Sequence, residues 1–157
     1  MSKEFKIIEV KTSMHKRNLE NIYFTIFEEN LNKKNNKNIF DQHNIESFIF
    51  YNKDKNFIGI CIVINMLSEI EILKFGIMNK FRNKGFGYKF FELIIEHYKR
   101  KKIENIFLEV SKCNKFALGL YESLGFKAIN VRKNYYKKKN NTKVDAIVLK
   151  KQINSFL

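Results

Sequence analysis

The stretch Arg82-Asn83-Lys84-Gly85-Phe86-Gly87 constrains this chain most, because it must turn an extended segment ending near Met78 into a helix over 85–100. That helix is read from Gly87, Phe90, Phe91, Ile94 and Tyr98 falling on one stripe, with the basic run Lys99-Arg100-Lys101-Lys102 suiting its C-terminal end. Glycines let backbone N–H groups approach a ligand closely, and the helix N-terminus adds a partial positive charge. With Arg82 and Lys84 as counter-charges, the junction reads as a candidate phosphate cradle. It is neither a G-x-x-x-x-G-K-[ST] loop nor a G-x-G-x-x-G fingerprint, which argues against a nucleotide hydrolase or a dinucleotide enzyme. By itself a basic Gly-x-Gly turn is more often an ordinary loop.

The rest of the chain supplies a sheet for this junction. Residues 4–11 read as a strand, and Leu19, Ile22, Tyr23, Ile26 and Phe27 recur at helical spacing after an N-cap at Ser13. The Asn- and Lys-rich stretch 30–44 reads as loop or short helix. Residues 47–51 and 57–66 flank a polar turn as an antiparallel hairpin, and a third strand follows at 69–78. After the helix come a strand at 105–111, a helix Asn114–Leu124 stopped by Gly125, and closing strands at 126–132 and 144–150 around a lysine-rich loop. No repeat or linker interrupts this order. It predicts one α+β domain over residues 1–157, with a mixed sheet.

Composition narrows the function classes without choosing one. Thirty Lys and Arg against 16 Asp and Glu give a formal net charge of +14, which suits phosphate-bearing ligands, nucleic acid or acidic membranes. The chain also lacks Pro and Trp and is rich in Asn, Lys, Ile and Phe, a skew that low-GC codon usage explains as well as selection for charge does. Cys61 and Cys113 form no C-x-x-C pair, and His15, His43 and His97 are scattered, so disulfide frameworks and metal sites find little support. No stretch approaches the roughly 20 apolar residues that span a bilayer, and a soluble cytoplasmic protein is expected.

Two side chains of the second half carry candidate chemistry. Alternation over 105–111 puts Ile106, Leu108 and Val110 on one face and Phe107, Glu109 and Ser111 on the other, so Glu109 interrupts an apolar strand. A carboxylate among apolar neighbours loses solvation and its pKa rises, which yields a general base. An edge-strand Glu in water fits the periodicity equally well. Tyr121 lies on the next helix, beside an apolar stripe of Phe116, Leu120 and Leu124. It reads as a hydroxyl donor with an ordinary pKa of about 10, or as a core-edge aromatic.

Together, Arg82-x-x-Gly85-x-Gly87, Leu108-Glu109-Val110, Asn114 and Leu120-Tyr121-Glu122-Ser123-Leu124-Gly125-Phe126 resemble the GNAT acetyltransferase superfamily. Arg132-Lys133-Asn134-Tyr135-Tyr136 and Asp145-Ala146-Ile147 make the likeness strongest to its RimI type, the bacterial ribosomal-protein alanine N-acetyltransferases. The resemblance is strong over about 69–150 and weak before. It implies a three-layer α/β/α fold whose mostly antiparallel central sheet is splayed around acetyl-CoA, with no metal. It also implies that the backbone of Phe75, Gly76 and Ile77 pairs with the pantetheine arm and that Arg82, Asn83, Lys84, Gly85, Phe86, Gly87 and Tyr88 surround the pyrophosphate. In the same way it makes Asn114 a cofactor contact, Glu109 the general base, Tyr121 the general acid, and Tyr135 and Tyr136 part of the peptide site. The RimI pattern usually has a Pro-Trp element and a Pro after the Tyr pair; here Lys137 follows Tyr136.

The expected reaction is acetyl transfer to the α-amine of a ribosomal-protein N-terminus. An enzyme of net charge +14 would repel a basic tail unless acids were local, and Glu28 and Glu29 at the end of the first helix are candidates for that role, or else a solvated helix end. A GNAT enzyme acting on a polyamine or aminoglycoside is the main alternative, and a noncatalytic RNA- or ribosome-binding module using Lys99–Lys102 and Lys137–Lys139 is a third; no RNA-recognition fingerprint and no membrane partner are predicted.

Overall fold

Apolar residues at every second position and polar turns between them set the strands of the computed structural model, which describes residues 5–28, 43–138 and 140–154. In chain order the elements are β1 (Phe5–Glu9), α1 (Ser13–Phe27), β2 (Ile45–Asn52), β3 (Phe57–Asn65), β4 (Glu69–Ile77), α2 (Phe86–Arg100), β5 (Asn105–Ser111), α3 (Lys115–Ser123), β6 (Lys127–Lys137) and β7 (Lys143–Gln152). A single turn of 3-10 helix at Asn79–Phe81 leads into α2. The loop or short helix expected over 30–44 falls outside the described residues, apart from 43 and 44. The helix order matches expectation, but the cap of α1 is Thr12, whose Oγ1 accepts the His15 N–H at 3.2 Å, rather than Ser13.

The strands form one mixed sheet in the order β1-β2-β3-β4-β5-β7-β6, antiparallel except for β4 against β5. One face buries Phe48, Phe50, Ile70, Ile106, Leu108 and Val110 against Phe90, Phe91, Ile94 and Tyr98 of α2 and Tyr121 of α3. The other buries Ile49, Ile60 and Ile62 against Leu19, Ile22, Tyr23 and Ile26 of α1, so the sheet lies between two helical layers. Rings pack α2 down closely: Phe90 stacks on Phe50 at 4.6 Å and on Phe75 at 5.1 Å. At the far end of α2 the Tyr98 hydroxyl donates to Glu46 Oε2 at 2.6 Å, which ties the helix to β2.

The feature that positions the site is a bulge in β4. Val63 of β3 pairs with Ile72 and Ile62 with Lys74, which leaves Leu73 as an extra residue. Inward and outward positions exchange there. Ile70 and Ile72 face α2 before the bulge, and Phe75, packed on Phe90 and Phe91, faces it afterwards. Lys74 correspondingly reaches the α1 side, over the rings of Tyr23 and Phe27. The parallel pairing of β4 with β5 covers only Glu69–Ile72 against Asn105–Leu108 and stops at the bulge.

Two expectations are corrected in the second half. On α3 the buried stripe contains Tyr121 and Leu124, while Phe116 is 84% exposed and points away from the core. The strand expected at 126–132 runs to Lys137, because register shifts between Ala128 and Asn130 and between Arg132 and Tyr136 absorb residues that do not alternate. β6 therefore carries the tyrosine pair within the sheet rather than in a loop.

Gly76 is fixed by the end of α1: a Cβ there would lie 2.5 Å from Ile26 Cγ2 and 2.8 Å from Phe27 Cζ. Gly76→Ala is expected to lower stability by about 1–3 kcal/mol through overpacking, read as a shift of the urea midpoint at unchanged slope.

Candidate active site

Where β4 and β5 part, a cleft of about 940 Å³ opens. Its walls are β4 from Glu71 to Ile77, β5 from Leu108 to Ser111, the turn before α2, one side of α3, and Tyr135 and Tyr136 of β6. The end of α1 closes one margin with Ile26 and Phe27.

The edge of β4 beyond the bulge is built to accept an extended ligand. Met78 donates its N–H across β3 to the Ile58 carbonyl at 2.8 Å, so by strand alternation Ile77 and Phe75 turn both backbone groups toward the cleft and Gly76 turns its own toward β3. The Ile77 carbonyl accepts Arg82 Nε at 2.9 Å, which anchors the arginine beside the cleft, and the Ile77 N–H remains on the open side.

At the same end the chain enters α2 through two left-handed residues, Asn83 at φ 57° and Gly85 at φ 76°. Gly85 is the N-cap and has no side chain with which to cap. The first N–H groups of α2, at Phe86, Gly87 and Tyr88, therefore have no side-chain acceptor from the cap, and the first turn contains no acidic residue. Donors without a cap at a helix N-terminus suit an anion. Asn83, Gly85, Gly87 and Tyr88 line the cleft, whereas Lys84 donates to the Lys80 carbonyl at 3.0 Å and Phe86 packs its ring on Phe5 and Phe81, so neither side chain belongs to the lining. Asn114 lines the cleft as the N-cap of α3, its Oδ1 accepting the Ala117 N–H at 3.2 Å.

Glu109 and Tyr121 border this cleft from the sheet and from α3. Tyr121 is 7% exposed, with its ring edge-on to Phe91 at 5.6 Å and Phe126 at 5.7 Å. Burial pushes its phenol well above the usual range, so at neutral pH it keeps its proton. Glu109 lies between the buried Leu108 and Val110 as the alternation requires, but its carboxylate is not left among apolar groups: Oε1 receives Arg132 Nη1 at 2.7 Å. Arg132 is in turn held over the Tyr135 ring at 5.1 Å, and the Tyr136 hydroxyl donates to the Glu109 carbonyl at 3.4 Å. Burial, followed by the Glu109 charge, pushes the Tyr136 phenol upward.

Sequence reasoning missed three parts of this site. Glu71 sits one strand over, ahead of the bulge, where burial and then the charge of Glu109 raise its carboxyl above the usual range while Arg132 pulls it down. The break in alternation at Ile72-Leu73 was the signal available for it. Arg132 is separated from Glu109 by 23 residues in sequence and by the intervening β7 in the sheet, and no local pattern links them. Asp145 holds the second register shift of β6: its Oδ1 accepts the Asn134 N–H at 3.0 Å, at a left-handed residue with φ 53°, and Oδ2 receives Lys133 Nζ at 3.3 Å. Glu28 is exposed as the left-handed cap of α1, next to the margin of the cleft but outside its lining, and Glu29 lies outside the described residues. Among the described residues no three His, Cys, Asp or Glu side chains are grouped to hold a metal ion, and no helix is long and apolar enough to cross a membrane.

Comparison with known proteins places this architecture. The model of the acetyltransferase (GNAT) family matches residues 16–126. The chain is similar to proteins named [ribosomal protein bS18]-alanine N-acetyltransferase, at 28% identity over 99 residues from Haemophilus ducreyi and 31% over 97 residues from Haemophilus influenzae. These matches cover 63% and 62% of this chain and 68% and 66% of those relatives. Among solved structures, the ribosomal-protein-S18-alanine N-acetyltransferase from Escherichia coli superposes with a TM-score of 0.83 at 21% identity, over 98% of this chain and 96% of that one.

Asp145 generates a prediction of its own. The Asn134 N–H, and after it Lys133, keep its carboxyl below the usual aspartate range. A depressed folded pKa contributes stability above the unfolded value and loses it as pH falls through the folded one, so the β6 irregularity should persist at neutral pH and loosen only in acid. Asp145→Ala should abolish hydrogen-exchange protection of the Asn134 amide at neutral pH while leaving the β3–β4 amides protected.

Proposed function

Because the chain belongs to the acetyltransferase (GNAT) family, we propose that it transfers the acetyl group of acetyl-CoA to the α-amine of a protein N-terminus, with the N-terminal alanine of a small-subunit ribosomal protein as acceptor. The observation that carries this reading is a single cleft lined by an open strand edge, a helix N-terminus without a side-chain cap, a carboxylate and a protonated phenol. The names of the two Haemophilus relatives support the acceptor.

Acetyl-CoA supplies a thioester and a thiolate leaving group. The uncapped N–H groups of Phe86, Gly87 and Tyr88, with Arg82 beside them, would hold its pyrophosphate, and the outward backbone groups of Phe75 and Ile77 would pair with its pantetheine amides. Asn114 lies on the far wall, where its side-chain amide borders the same channel. Glu109 then takes a proton from the ammonium group of the acceptor, whose ordinary pKa is about 8. The amine nitrogen bonds to the acetyl carbon, a backbone N–H on the open edge of β4 faces the oxygen on which charge develops, and the carbon–sulfur bond breaks. Tyr121 donates its proton to the departing sulfur and regains one from solvent. Tyr135 and Tyr136 flank Glu109 on the acceptor side, and Glu28, the cap of α1, and the Glu29 that follows it in sequence are assigned to the basic tail.

The test uses purified protein with acetyl-CoA, an alanine-initiated basic peptide, its N-terminally blocked control, and spermidine, with CoA release followed. Release is expected only with the free alanine peptide. Glu109→Gln should lower kcat by about 10²–10⁴-fold, with Tyr121→Phe also impaired, while CoA binding persists. Release with spermidine alone would replace the peptide acceptor by a small amine, and absence of CoA binding would overturn the reading as a transferase.

A further inference from the structure

At the fork between β4 and β5 the chain places two carboxylates and one guanidinium within a protein of net charge +14. Glu71 stands opposite Phe107 in the parallel ladder, so it lies on the same face as Glu109, diagonally across one strand gap. Neighbouring like charges disfavour double ionisation, and burial followed by the charge of Glu109 holds the Glu71 carboxyl up. The side chain that offsets this is Arg132. It bonds Glu109 Oε1 at 2.7 Å, its charge also reaches Glu71, and the Tyr135 ring supports it from behind. Arg132 is 51% exposed and comes from the irregular stretch of β6 that Asp145 shapes, so its place is set by the acceptor-side strand rather than by the core.

We propose that Arg132 is a positioning residue for acetyl transfer: its guanidinium holds Glu109 as an open, charged proton acceptor against the neighbouring charge of Glu71. This rests on the reading of Glu109 as the base. The guanidinium engages Oε1 of the carboxylate, and the acceptor amine is assigned to Oε2. Other groups around Glu109 are the phenols of Tyr136 and Tyr121, Lys74 on the α1 side of β4, and Lys150 of β7, which lies over the Phe107 ring at 5.3 Å. Arg132 pairs with the Glu109 carboxylate at 2.7 Å, Lys74 reaches over the rings of Tyr23 and Phe27, and Lys150 over that of Phe107.

The consequence is a thermodynamic cycle. Arg132→Gln removes the guanidinium from beside two carboxylates on one face of the sheet, so protonation of the pair should be favoured and the base partly blocked. The acid limb of kcat/KM against pH is expected to move up by about one pH unit, a roughly tenfold loss at a pH below the limb. Arg132→Lys keeps the charge and should hold the limb near its original place. Adding Glu71→Gln to Arg132→Gln removes the repulsion and should bring the limb back down, a reversal that a merely structural role for Arg132 would not produce.

The experiment measures pH profiles of the wild type, both Arg132 variants and the Glu71→Gln/Arg132→Gln double variant with the alanine-initiated peptide. In parallel, carbon-13 NMR of side-chain-labelled glutamate follows the two carboxyls in the same proteins without substrate. An upward move in Arg132→Gln, reversed in the double variant, supports the proposal. A limb and a Glu109 titration unmoved by Arg132→Gln, or moved but not reversed by removing Glu71, overturns it. The NMR arm decides this even where turnover is absent, and absent turnover in wild type would fall on the acetyltransferase reading instead.

Discussion

The extra residue at Leu73 is the constraint on which the rest of the site depends. A sheet normally satisfies the backbone groups of an internal strand on both sides, and β4 is internal. By inserting one residue, β4 bends away from β5 after Ile72, and its last residues keep a partner only in β3. The backbone groups of Phe75 and the Ile77 N–H are left facing the cleft, and the Ile77 carbonyl takes Arg82. The same insertion swaps the faces of β4, sending Phe75 into the α2 core and Gly76 against the end of α1. One local irregularity thus opens the cleft, provides its hydrogen bonds and locks the strand that carries them.

The two mouths of the cleft differ in charge for reasons that follow from chain connectivity. The cofactor end is made from one continuous stretch, from the open edge of β4 through the left-handed turn to the N-terminus of α2, and its fixed charge comes from backbone N–H groups and Arg82. The end that would take the acceptor is assembled from β4, β5 and β6, and it holds Glu71 and Glu109. In a chain of net charge +14, two carboxylates within one cleft are a local concentration of negative charge, and under the proposed function this is where the cationic acceptor amine would arrive. The sequence reading looked for such acids at the end of α1. The fork of the sheet holds two of them in the cleft itself.

What was legible in the sequence was what short-range physics determines. The turn into α2 could be read because its glycines, its basic residues and the apolar stripe behind it are contiguous. Glu109 could be assigned its face because alternation along β5 is unbroken, and the structure keeps that alternation. The environment of Glu109 could not be read, since Arg132 comes from a strand that reaches it only across β7. The length of β6 was hidden for a related reason: nearly all of its eleven residues are exposed, so no burial period marks it, and its two register shifts are held by contacts such as that of Asp145 with Asn134. On α3 the apolar spacing of Phe116, Leu120 and Leu124 suggested the core stripe, but cleft and core both claim apolar residues on a helix between them. Tyr121 took the buried position and Phe116 the exposed one.

This division bears on how acceptor choice is built into the fold. Residues that would hold the cofactor are fixed by the core: Phe75 by the ring stack on α2, Gly76 by Ile26 and Phe27, Arg82 by the Ile77 carbonyl. Changing any of them disturbs packing or backbone bonding. Acceptor-side residues hang on an exposed strand whose shape rests on a surface carboxylate and whose arginine is half in solvent. Substitutions there alter charge and reach at little cost to the core, because exposed positions contribute little to stability. The geometry therefore separates a rigid half from an adjustable half, and Arg132, through its ion pair, and Tyr136, through its hydroxyl, join the adjustable strand to Glu109.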